Sequence, residues 1–321
     1  MKQLATALLL FAHAMAAQAE PVTVSAEPIA SFRRIASQDS FGPFNWRGGL
    51  TLTSADERFG GFSGLIMGKD CEDLLAVSDR GTWLKAQLVY DGDRLSGITD
   101  AQLAAVLNGK GEPPRNKLAG DAEALTQLRD GAVAVGFESK VRIGSYNLPR
   151  GGFAARFQAV PHPREIDTGP DNGEIEALGQ LADGRLLAIA ESQFDSGGNT
   201  RAWAWQSSQT TPFSIARYGD YRVTDLAVLD NGSILTLERR FEPTSLPGMA
   251  VRRFSASAIT HGTIIKPELL LEATAPLYVI DNMEGIAACQ RHGTARITLI
   301  SDDNFNAAVQ STILLQFDYK P

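Results

Sequence analysis

Past the first twenty residues, apolar positions fall in short runs separated by glycine and polar turn residues, and almost nowhere at the 3.6-residue period of a helix. Short strands at close spacing follow from that pattern, so the fold class is all-β. The best helical candidate is a stretch of about two turns over 99–107. Asp130-Gly131, Asp183-Gly184 and Asn231-Gly232 each stand between two apolar runs. Each is the signature of a two-residue hairpin, whose central residues need positive φ. Turns placed there pair Glu123 with Glu138, Glu176 with Glu191 and Asp225 with Glu238. A three-residue loop at His292-Gly293-Thr294 pairs Glu284 with Asp302, and a degenerate hairpin about Cys71 and Glu72 sets Gly64 opposite Asp79.

The words around these positions repeat: Ser63-Gly64-Leu65, Glu123-Ala124-Leu125, Glu176-Ala177-Leu178, Asp225-Leu226-Ala227 and Glu284-Gly285-Ile286, at spacings of 59, 53, 49 and 59 residues. A repeat of that length, about one four-stranded sheet, predicts a β-propeller. At ~50 residues per blade the chain provides for six blades, with five or seven also compatible. The run 313–319 and the run 50–53 are both strand-like, and one of them is placed to complete a blade begun at the other end of the chain.

Composition narrows the function. Residues 1–19 have the layout of a cleavable secretory signal: Lys2, an apolar run from Leu4, then Ala17-Gln18-Ala19. The expected mature chain, residues 20–321, is one propeller domain, periplasmic or secreted, with no membrane span after the leader is removed. A net charge of −7 argues against nucleic acid as a partner. Nothing signals an oligomer, so a monomer is expected. Cys71 and Cys289 are the only cysteines. An oxidising compartment permits a bridge between them, and two separate buried thiols are the alternative.

Carboxylates that face one another across a strand pair repel. They persist if one keeps its proton or if a cation sits between them. Such pairs on successive inner hairpins would gather at one mouth of the central channel. The candidate metal ligands are Asp79, Glu123, Glu138, Glu176, Glu191, Asp225, Glu238, Glu284 and Asp302. An all-oxygen set of this kind selects Ca2+ ahead of Mg2+, and neither histidine nor cysteine spacing suits zinc. The alternative for any one acid is a hydrogen bond to a neighbouring backbone N–H that locks blades together.

The words Gly60-Gly61-Phe62-Ser63-Gly64-Leu65, Ser78-Asp79-Arg80-Gly81, Asp121-Ala122-Glu123-Ala124-Leu125, Asn172-Gly173-Glu174-Ile175-Glu176-Ala177-Leu178, Glu191-Ser192-Gln193, Glu238-Arg239-Arg240 and Asn282-Met283-Glu284-Gly285-Ile286 resemble the phytase-like family known as "esterase-like activity of phytase". The resemblance implies an exported bacterial propeller rich in Asp and Glu, with phosphoesterase or phosphodiesterase activity. It departs from the family pattern at Gly64, which stands in an acid's slot.

The expected function is metal-dependent hydrolysis of a small phosphoester, with Glu123, Glu176 and Glu191 as catalytic acids. Arg80 and Arg240 are the candidate phosphate forks. Strict alternation turns Arg80 and Arg239 away from their neighbouring acids and returns Arg240 to the same face. No Gly-x-Ser-x-Gly elbow is present, which disfavours a serine triad. Two alternatives stand beside this reading: a non-catalytic propeller with structural calcium, and a metal-assisted ester or lactone hydrolase.

Overall fold

Burial alternates along the long strands. In Thr82–Asp91, Leu84, Ala86 and Leu88 point into the core while Lys85 and Gln87 face out. That period of two is what lets a strand bury one face against its neighbours. The computed structural model describes residues 19–35, 38–169, 175–241 and 245–320. Residues 1–18 of the expected leader lie outside the described residues.

The described strands form five blades, not six. From the channel outward, blade 1 is Phe62–Met67, Asp73–Ser78, Thr82–Asp91 and Arg94–Ala105. Blade 2 is Ala122–Gln127, Val133–Phe137, Arg142–Tyr146 and Gln158–Val160. Blade 3 is Ala177–Gln180, Leu186–Phe194, Thr200–Gln206 and Gln209–Ile215. Blade 4 is Arg222–Val228, Ser233–Arg240, Gly248–Ser255 and Glu268–Thr274. Blade 5 begins with Asn282–Arg291, Thr294–Asp302 and Thr312–Tyr319, and its fourth strand is Phe44–Thr53 from the N-terminal end.

The sixth blade is missing because the N-terminal segment is spent on edges. Glu20–Pro21 extends blade 1 and Ser25–Ile29 extends blade 5. The predicted helix over 99–107 is also strand. Its Ala, Gln and Leu favour a helix locally, but Thr82–Asp91 supplies a hydrogen-bonding partner and the core takes Ala101 and Leu103.

Two devices close the ring. Thr312–Tyr319 pairs with Phe44–Thr53, and Asp318 receives Arg47 at 2.5 Å across that seam and the buried Arg296 at 2.7 Å from the neighbouring strand Thr294–Asp302. A disulfide joins Cys71 of blade 1 to Cys289 of blade 5, with Cα atoms 5.5 Å apart.

The hairpin register differs from the sequence expectation by one residue next to the turn in blades 2 to 5 and by two in blade 1, where Gly64 faces Val77. The Asp130, Asp183 and Asn231 side chains each accept from the N–H two residues on. The closing bonds, such as Leu181 N–H to the Arg185 carbonyl, make these three-residue loops in which only the glycine has positive φ. His292 and Gly293 both have positive φ, so theirs is the two-residue turn, pairing Arg291 with Thr294.

A β-bulge then places one unpaired residue near the start of the innermost strand. It is Ser63 in blade 1, Glu123 in blade 2, Thr224 in blade 4 and Glu284 in blade 5. Glu176 holds the same place before Ala177–Gln180. The facing pairs Glu123–Glu138, Glu176–Glu191, Asp225–Glu238, Glu284–Asp302 and Gly64–Asp79 are therefore not formed. Asp225 faces Leu237, Glu238 faces Val223 and Asp302 faces Asn282.

Asp225 serves the ring itself. It is fully buried and accepts from Leu226 N–H at 2.7 Å and from Ile286 N–H of blade 5 at 2.8 Å. Asp225→Ala strands both donors and is expected to cost about 1–3 kcal/mol in chemical denaturation. An unchanged unfolding midpoint would show that the bond across the blades is dispensable.

Candidate functional site

The bulges turn two rings of side chains toward one end of the channel. Ser63, Glu123, Glu176, Thr224 and Glu284 make the first. Asp79, Glu138, Glu191, Arg239 and Asp302, at or just after the last paired residues of the second strands, make the other. Bulges re-aim a side chain, and here they do so in blades 1, 2, 4 and 5. Asp121, two residues before Glu123, completes the cluster, its backbone carbonyl accepting from Glu138 N–H.

Oxygens of Asp121, Glu123 and Glu138 lie within 4.8 Å of one another. Ser139 Oγ also donates to Asp121. Beside them the one-turn helix Lys117–Gly120, capped by Asn116, carries Lys117 to Asp79 Oδ2 at 2.8 Å. The other oxygen of Asp79 is buried with no hydrogen-bond partner among the described residues. Gly61, at φ +64°, passes so close that a Cβ would run into that carboxylate. Across the mouth, Arg239 reaches Glu284 at 2.6 Å, Glu191 at 3.1 Å and the Asn282 amide oxygen at 2.6 Å.

Electrostatics follow from crowding. Burial, then the charges of Asp121 and Glu138, push Glu123 well above the usual carboxylate range. Burial, then Glu123, Glu191, Glu138 and Glu284, do the same to Glu176. Burial lifts Glu284 to about 8 against the pull of Arg239, and lifts Asp302 to about 6. It also raises Asp79 despite Lys117. These acids bind their protons more tightly folded than unfolded. Their contribution to stability is complete below about pH 4 and is lost as pH rises through about 6 and about 8. With a chelator present, the melting temperature is expected to fall between pH 5 and pH 9. A rise over that interval would contradict the crowding.

Of the sequence-predicted residues, the structure brings together Asp79, Glu123, Glu138, Glu176, Glu191, Glu284 and Asp302. It does not bring in Asp225, which bonds between blades. Glu238 is also absent from the mouth: it is 1% exposed, held by Arg252 at 2.7 Å and Thr236 at 2.9 Å. Arg240 lies away from the mouth, stacked on Tyr221 and donating to the Leu246 carbonyl. Arg80 stands at the rim, its guanidinium 3.3 Å from the centre of the Phe305 ring.

Arg239, Asp121 and Lys117 are the residues that sequence reasoning missed. A signal for Arg239 exists. Glu138, Glu191 and Arg239 each follow their turn glycine by seven residues, and Glu123, Glu176 and Thr224 each precede it by eight. Counting from the glycines finds the members of both rings in blades 2, 3 and 4 without assuming a turn type.

A family model described as "Phytase-like: Esterase-like activity of phytase" matches residues 57–305. No curated protein sequence matches the chain. Among solved structures, a gluconolactonase of Xanthomonas campestris is similar at 9% identity, covering 94% of this chain and 98% of that one, with a TM-score of 0.43. The WD40 repeats of RRP9 are similar at 9% identity over 81% of this chain and 95% of that one, with a TM-score of 0.39.

Proposed function

From the premise that this chain belongs to the phytase-like, esterase-like-activity-of-phytase family, we propose that its acidic mouth hydrolyses esters with the help of a divalent cation, phosphoesters foremost. The observation that carries this reading is the Asp121, Glu123 and Glu138 cluster, with oxygens within 4.8 Å of one another. Opposite ligands of a calcium ion at 2.3–2.6 Å lie about 5 Å apart at most, so the cluster fits one ion. The donors are all hard oxygens, which suits calcium ahead of magnesium. The buried, unpartnered oxygen of Asp79 lies beside it. Bound there, the cation would polarise the ester and make an attacking water more acidic.

The chain's own residues would supply the rest. Glu176, pushed up by burial and by its acidic neighbours, holds its proton more tightly than a free carboxyl and would give it to a leaving oxygen. Glu191, tethered by Arg239, is an acceptor for the proton of water. Arg239 keeps its charge against burial because Glu284, Glu191 and Glu176 surround it.

One observation favours a second substrate class. Both mouth cations are engaged, Lys117 by Asp79 and Arg239 by Glu191 and Glu284. Among the described residues a doubly charged phosphate would meet no uncommitted base inside the mouth, whereas a neutral carboxyl ester or lactone would need none.

The test is turnover of a phosphomonoester, a phosphodiester, a carboxyl ester and a lactone, each with calcium and with chelator. Turnover of one class that falls at least 100-fold on chelation and returns with calcium is expected. Activity indifferent to chelation and to Glu176→Gln would remove this mechanism. A melting temperature that drops on chelation with no turnover on any substrate would make the cation structural.

A further inference from the structure

The other face of the wall that carries Lys117 has the opposite charge. A groove of about 790 Å³ lies between blades 1 and 2, bounded by the segment 106–119 and by the outer face of blade 2. Its size is that of a small-molecule site. Its floor is aromatic: Phe137, Tyr146 and Phe157, with centroids of the neighbouring rings 6.2 Å apart. Its rim is basic. Lys110 and Lys140 are exposed and have no acidic partner among the described residues, and Arg142 stacks 4.0 Å over the Phe137 ring.

Tyr146, 1% exposed, lies in the wall of the groove. A basic rim is also out of character for a chain of net charge −7. The groove and the mouth share the segment 117–121, since Arg142 donates to the Ala119 carbonyl at 2.5 Å. Alternation also sends Phe137 to the groove while Glu138 turns to the mouth.

We propose that this groove is a binding site for a small aromatic anion: a flat apolar body against Phe157 and the Arg142 guanidinium that covers Phe137, and an anionic group between Lys110 and Lys140. This site stands without the reading of the mouth as a hydrolase.

The probe is 2-naphthalenesulfonate, a weak metal ligand, titrated calorimetrically into the full chain with chelator present so that the mouth plays no part. Saturable binding at one site is expected. The double variant Lys110→Glu/Lys140→Glu should weaken it at least tenfold, and Glu176→Gln should leave it unchanged. Neutral 2-naphthalenemethanol should bind at least tenfold more weakly than the sulfonate. Both groove substitutions leave the melting temperature in place, because the lysines are exposed. No saturable binding, equal binding of the neutral alcohol, or binding indifferent to the lysine variant would each overturn the proposal. Loss of turnover with groove binding intact would instead count against the hydrolase reading alone.

Discussion

Replacing Glu123 and Glu138 together by glutamine is expected to lower kcat/KM for the preferred ester by about 10³-fold while raising the melting temperature measured in chelator. The two effects have one cause. Glu123, Glu138 and Asp121 crowd like charges into a cluster whose oxygens lie within 4.8 Å. Without a counterion that crowding costs stability, as the upward push on Glu123 records. Glutamine keeps the size and relieves the repulsion, so the metal-free fold gains. On the proposed function the same change removes two anionic ligands, and a divalent cation's contribution to an ester's transition state is worth several kcal/mol, roughly tenfold per 1.4. Calcium should therefore stabilise the parent protein and leave the double variant unmoved. Turnover surviving in the variant would place the chemistry elsewhere, and a lowered melting temperature in chelator would make these acids ordinary structural partners.

Cys71→Ser with Cys289→Ser is the second large effect, and it acts on the ring rather than the mouth. The bridge closes a loop of 218 residues and ties blade 1 to blade 5, the neighbours between which the circle must shut. Loop-closure entropy for a span of that size is about 5 kcal/mol. For a chain this long, that converts to a fall in melting temperature of roughly 10 °C. Thiol reductant should lower the parent protein by the same amount and leave the double serine variant where it is. A shift under about 2 °C would mean that the hydrogen bonds between Thr312–Tyr319 and Phe44–Thr53, with Asp318 between Arg47 and Arg296, close the ring unaided.

Part of this site was legible before any coordinates. The recurrence of small residues beside an acid, at spacings near fifty to sixty, marked the innermost strands. Seven of the nine acids read from it do reach one mouth. The two that do not, Asp225 and Glu238, are each one residue from the place they were assigned. Thr224 holds the bulge in blade 4 and Arg239 holds the position that closes the second strand. The same one-residue shift takes Arg240 out of the mouth and puts Arg239 into it. The blade count went astray for a different reason: dividing length by a typical repeat treats edge strands such as Ser25–Ile29 as part of a blade.

What the sequence determined by itself was the kind of element, the ring of repeats and the presence of an acidic set, because alternation, turn residues and composition are local properties of the chain. Only the tertiary structure decided which carboxylates meet, that Arg239 neutralises part of them, and that a basic aromatic groove backs onto the same wall. Side-chain direction in a strand has a period of two, so a single extra residue in a loop or a bulge reverses it. That extra residue is fixed by hydrogen bonds between strands far apart in the chain.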